Sequence, residues 1–150
     1  MSGLKYLVLY KPFGVLSQFS DEAGHPGLGS LNLGLPDDVY PVGRLDRDSE
    51  GLLVLTNDRS LNAALLNPEE GHARTYWVQV EGNPNELDLR AFNRPMQLTI
   101  KGRAHMTLPA EARLLNPPPN VPDRQPPVRF RKSVPDRWIS LTLTEGKNRQ

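Results

Sequence analysis

The chain has 150 residues, no cysteine and a net charge of +1, which points to one domain and excludes disulfides and thiolate metal sites. Charged residues make up 23%, an ordinary globular level that excludes wholesale disorder, and fifteen prolines, about twice the usual ~5% share, favour long ordered loops over an all-helical chain. Apolar runs fall far short of a membrane span and the N-terminus lacks a signal-peptide pattern, so a cytoplasmic protein with no membrane partner is expected.

Taken in chain order, Lys5–Pro12 reads as a strand of β-formers ended by proline. Residues 13–41 are rich in Gly, Pro, Asp and Ser and predict a long loop or several turns. Leu52–Thr56 predicts a short buried strand, with Leu52, Leu53 and Leu55 in the core. A short helix follows, capped by Asp58, with Leu61, Leu65 and Leu66 on one face and Pro68 as its stop. Arg74–Gly82 alternates like a strand. Asn83 and Pro84 have the form of a helix cap and first helical residue. Residues 96–115 predict a hairpin and one more strand. The proline-rich run at 116–127 fits neither a helix nor a central strand. Two further strands, "VRFRKS" and "DRWISLTLT", are expected to pair. Six to eight strands against two or three helices, without regular alternation, give an α+β fold rather than a Rossmann-type sheet. No repeat and no clear linker is visible.

Charge is unevenly spread along the chain. Residues 1–100 hold 8 Lys+Arg and 13 Asp+Glu, a net of −5, and residues 101–150 hold 10 and 4, a net of +6. In the basic part, cations sit among aromatics in "VRFRK" and "DRWISL". That pattern suits a polyanion footprint, and equally a solvated surface of uneven charge.

The densest polar cluster is "GRLDRDSEG" (Gly43–Gly51), placed directly before the apolar run. Asp46, Asp48, Glu50 and Gly51 follow the opening of a calcium loop, but the ninth and twelfth positions are Val54 and Asn57. The three histidines have no zinc spacing. No nucleophile elbow and no phosphate-binding P-loop occur. Asp46 and Asp48 share one turn, whereas paired glycosidase carboxylates flank a bond from different segments. Two readings remain from the residues alone. One is a carboxylate nucleophile kept ionised by nearby arginines, which also attract a phosphate polymer. The other is a surface turn whose charges pair with one another.

The motifs themselves carry a resemblance. "GRLDRDSEGLLVLTND" resembles the G-R-L-D-x-x-[ST]-x-G-L-L motif of pseudouridine synthases of the RsuA type. "LVLYKPFGVLSQ" resembles their Y-x-x-x-N-K-P-x-G-x-[ILV] segment, with Tyr10 in place of asparagine. "HARTYWVQVEG" resembles K-x-Y-x-V-x-V-x-G, with Arg74 in place of lysine. "LTLTEGKNRQ" resembles the start of L-x-E-G-[KR]-x-[RH]-Q-[IV]-[RK]-R-M. The match is best to the branch that modifies large-subunit ribosomal RNA. Many relatives carry an S4 RNA-binding domain before the catalytic part, and none is expected here; the last motif is expected to be cut short.

The resemblance implies one catalytic domain over 1–150. Its mixed, mainly antiparallel sheet would lie in two halves with a few helices and a central catalytic cleft. It implies isomerisation of a uridine of 23S ribosomal RNA by a monomer; the product is an isomer, so no redox or energy cofactor is needed, and no metal is expected. Asp46 would be the nucleophile. Arg44 would hold the flipped nucleotide or fill its place, and Tyr76 would lie against the uracil. Lys147 would pair with Asp46, with Arg149 as the competing partner or a phosphate contact. Lys11, Arg47, Arg129, Arg131 and Lys132 are candidates for RNA-backbone contacts. A non-catalytic RNA-binding module of the same fold and a nucleoside or glycoside hydrolase remain the alternatives.

Overall fold

The computed structural model describes residues 3–147. Strand β1 (Tyr6–Lys11) pairs antiparallel with β3 (Gly51–Thr56), and β3 pairs on its other edge with the two-residue β2 (Tyr40–Pro41). Side chains alternate across a strand, so Leu7, Leu9, Leu53 and Leu55 turn to one face. There they meet Val15, Leu28 and Val39 in a buried cluster. Each fully buried aliphatic side chain contributes about 1.5–3 kcal/mol. Leu52, expected in the core, is 70% exposed; the strand's two-residue period puts it opposite Leu53 and Leu55. The 13–41 segment is a series of turns with a 3-10 turn at Leu28–Leu31. The Leu28 amide donates to the Gln18 carbonyl (2.6 Å) and the Gly29 amide to Phe19 (3.0 Å), which seats Leu28 in the core.

Helix α1 (Arg59–Leu66) begins as its sequence predicts. Asp58 accepts hydrogen bonds from the Ser60 and Leu61 amides, satisfying donors that the first turn leaves open. Leu61 and Leu65 are half-buried, and Leu66 reaches back to Gly43.

In β4 (Arg74–Glu81) the alternation again holds, with Tyr76, Val78 and Val80 on one half-buried face. Helix α2 (Glu86–Leu89) is capped by Asn85 and not by Asn83. Asn85 and Asp88 are three residues apart, so each side chain accepts the other's amide in a capping box. A hairpin of β5 (Gln97–Ile100) and β6 (Arg103–Met106) follows, then β7 (Glu111–Leu115) and β8 (Asp136–Leu143). β8 lies between β4 and β7, antiparallel to both. The expected strand at "VRFRKS" does not form. Both edges of β8 are taken, so residues 128–133 have no edge there to join.

The chain divides into two compact units, Met1–Glu70 with Asp123–Val128, and Gly71–Pro122 with Arg129–Gln150. In the first unit the Arg124 guanidinium stacks 4.3 Å from the Phe13 ring centroid, which fixes the returning segment. Every strand pair among the described residues is antiparallel, and the fold class is α+β. Among the described residues no helix is long and apolar enough to cross a membrane.

Candidate active site

The acidic loop, residues 42–50, links β2 to β3. Gly43 opens it at φ +72°, a left-handed value that favours glycine, and a Cβ there would stand 3.0 Å from Leu66 Cδ2. The next anchor is buried Ser17. Its Oγ accepts from the Leu45 amide (3.0 Å) and donates to the Leu45 carbonyl (2.7 Å). Beyond Asp46, the Arg47 carbonyl accepts from the Gly14 amide (2.7 Å) and from Lys11 Nζ (3.2 Å). The Ser49 amide closes a tight turn onto the Asp46 carbonyl (3.0 Å). Asp46 is thus exposed between two residues whose backbones are tied down. The backbone that carries the exposed acid is fixed on both sides.

Lys11 lies under this turn with no exposed surface. Its ammonium donates to the carbonyls of Pro12 (3.0 Å), Val15 (2.7 Å) and Arg47 (3.2 Å), one acceptor for each proton. Burial pulls its pKa below the ordinary lysine value, and the charges of Asp48, Glu50 and Asp46 oppose that pull. A candidate for RNA-backbone contact, Lys11 is therefore enclosed, with its protons already used. The signal was present in the strand pattern: Leu7, Leu9 and Lys11 occupy alternate positions on the inward face. Ser17 carried no such signal, because its partner lies far along the chain.

The arginines of the loop stay outside. Arg47 Nη1 lies 3.2 Å from His25 Nδ1, and Arg44 Nη2 lies 3.5 Å from Gln18 Oε1. Both guanidiniums are exposed and keep donors for an anion. The first unit therefore brings Arg44, Asp46, Arg47 and the buried Lys11 together.

The second unit holds the other candidates. Tyr76 sits opposite Leu141 across the β4–β8 pair, half-buried. Lys147 is exposed just past the end of β8. Two residues before it, Glu145 binds the Leu108 amide (2.8 Å) and His105 Nε2 (3.2 Å). Gly146 lies against Arg74, where a Cβ would stand 2.7 Å from Nη1. Arg129, Phe130, Arg131 and Lys132 are all exposed, and Arg131 pairs with Glu81 at 3.2 Å. Arg149 lies outside the described residues. Sequence reasoning passed over Glu145 and His105, whose pairing depends on the hairpin's register. Among the described residues no group of three or more His, Cys, Asp or Glu side chains could hold a metal ion.

An antiparallel α+β scaffold with a pinned acid–arginine loop defines a class that comparison with known proteins identifies. Residues 5–150 match the RNA pseudouridylate synthase family, and the chain belongs to that family. It is 50% identical over 144 residues to "Ribosomal large subunit pseudouridine synthase E" of Xanthomonas axonopodis pv. citri, covering 96% of this chain and 74% of that protein. The protein of the same name in Vibrio parahaemolyticus is 45% identical over 147 residues, covering 97% of this chain and 58% of its own length. "Ribosomal large subunit pseudouridine synthase B" of Bacillus subtilis is 36% identical, covering 97% and 52%. The chain thus spans little more than half the length of the latter two. A crystal structure of a pseudouridylate synthase superposes with a TM-score of 0.70 at 22% identity, covering 99% of this chain and 54% of that one; the likeness is one of fold.

Proposed function

We propose that this chain catalyses the conversion of a uridine of large-subunit ribosomal RNA to pseudouridine, with Asp46 as nucleophile. The observation that carries the reading is Asp46 itself: an exposed carboxylate tied down on both sides, by Ser17 at Leu45 and by Lys11 and Gly14 at Arg47, in a chain of this family. The Asp46 carboxylate attacks the target nucleotide and the C1′–N1 bond breaks. The uracil turns, and C5 bonds to C1′ as the carboxylate leaves. C5 then loses its proton and N1 gains one, so the atoms balance and no redox or energy cofactor takes part. Arg44 holds the extruded nucleotide. Tyr76 lies against the uracil ring and helps to remove the C5 proton, and Lys147 is the cation that keeps Asp46 ionised. Arg47, Arg129, Arg131 and Arg149 contact phosphates, while Lys11 acts from below by holding the loop. The enzyme works as a monomer in the cytoplasm.

The test is incubation with unmodified 23S ribosomal RNA, followed by mapping of pseudouridine. One modified site is expected from the wild-type chain. Asp46→Asn is expected to keep its fold and RNA affinity and to lose turnover by roughly 10³-fold or more. Free uracil as product would instead indicate a hydrolase, and tight binding without any product an idle RNA-binding module. Normal turnover by folded Asp46→Asn removes the acid from the mechanism.

A further inference from the structure

The Glu145 carboxylate is not used by the proposed chemistry, yet its side chain is only 12% exposed. Burying an acid is costly unless its oxygens are paired. Here Oε1 accepts from the Leu108 amide at 2.8 Å and Oε2 meets His105 Nε2 at 3.2 Å. The receiving site is itself firm. Buried Thr107, next to Leu108, donates its amide to the Met96 carbonyl (2.8 Å), and its Oγ accepts from the Met96 amide (2.9 Å). At residue 146 the exposed Arg74 guanidinium lies close to the backbone, with Nη1 2.7 Å from where a Cβ would stand. Glu145 is therefore held at both carboxylate oxygens shortly after β8, two residues before Lys147. An apolar side chain could fill this site but would not hold the backbone in one direction as two hydrogen bonds do.

We propose that Glu145 is a positioning residue, which through its bonds to Leu108 and His105 aims Lys147 for its part in the isomerisation. The inference rests on the reading of the chain as a pseudouridine synthase with Lys147 in its site. A positioning role predicts an effect on turnover without an effect on binding. It also predicts that the effect vanishes once the positioned group is gone.

The experiment is a double-mutant cycle on 23S ribosomal RNA, with kcat and RNA Kd measured separately and folding followed by circular dichroism. Glu145→Ala is expected to lower kcat about 10- to 100-fold, the scale of a misplacement near 1 Å, with Kd unchanged. In a Lys147→Met background the same change is expected to cost nothing further, the non-additivity of residues that act as one unit. Glu145→Gln keeps an acceptor for the Leu108 amide and should recover part of the loss. His105→Gln keeps a donor and should retain more activity than His105→Ala. Wild-type kcat in Glu145→Ala, or losses that multiply fully with Lys147→Met, overturns the inference. If Glu145→Ala does not fold, Glu145→Gln and His105→Ala complete the cycle under the same criteria. Absence of pseudouridine from the wild-type reaction is a different failure and overturns the function itself.

Discussion

Lys11 shows how a buried charge can hold a surface loop from below. Its three carbonyl acceptors include Arg47, the residue after Asp46. Lys11→Met removes every donor and leaves those carbonyls in a dry site, so a loss of roughly 2–4 kcal/mol is expected in denaturant unfolding. A change under ~0.5 kcal/mol would mean that the carbonyls find other donors. The pH dependence has a definite sign. Burial lowers the folded pKa below 10.5, so in the window just under 10.5 the unfolded chain binds more protons than the folded one. Stability from this group therefore rises with pH through that window, and the rise should be absent in Lys11→Met. At this scale the acid and arginines of the loop were legible as a motif. The enclosure of Lys11 was legible only through strand alternation, and the Ser17–Leu45 clasp was not, because nothing local ties position 17 to position 45.

Elements were read best where the signal is local. The Asp58 cap of α1, the strand at Arg74–Glu81 and the β5–β6 hairpin form where cap chemistry and alternation put them. The misreadings have non-local causes. "VRFRKS" has strand composition, but β4 and β7 fill both edges of β8. Leu52 looks like its neighbours, but the pleat turns it outward. That difference is measurable: Leu55→Ala should cost about 2–5 kcal/mol by emptying the core, and Leu52→Ala should stay within about 0.5 kcal/mol. Equal losses would contradict the register of β1 and β3. From β1, the Tyr6 hydroxyl donates to Oδ2 of Asp58, the cap of α1, at 2.7 Å. That bond, then the Leu61 amide, holds the Asp58 carboxyl below its usual 3.8, with the Ser60 amide adding to it. The stabilisation is present above the unfolded pKa and is lost as pH falls through the folded one. Tyr6→Phe should move the acid-unfolding midpoint to higher pH by a small amount, since both groups are exposed and solvent screens them. An unchanged midpoint would show that the backbone amides alone set the shift.

Over the whole molecule charge is divided along the chain, with an acidic first 100 residues and a basic last 50. RNA affinity should fall steeply with salt, because each neutralised phosphate releases counterions. Arg129 has no ion-pair partner among the described residues, whereas Arg131 is engaged by Glu81. Arg129→Ala should therefore reduce the slope of log K against log salt by up to about 1, and Arg131→Ala by less, with the modified uridine unchanged. Salt-independent affinity would end the case for a basic footprint. The α+β class was readable from composition and element order. The family motifs added a sheet in two halves, but not the return of residues 123–128 to the first unit, where Arg124 covers Phe13. That return has a consequence in time. During synthesis the first unit waits for its closing segment while residues 71–122 are made, a delay of roughly 3–10 s at ~5–20 residues per second. Throughout that interval the Phe13 ring, beside the lysine that anchors the acid loop, has yet to receive the arginine that covers it.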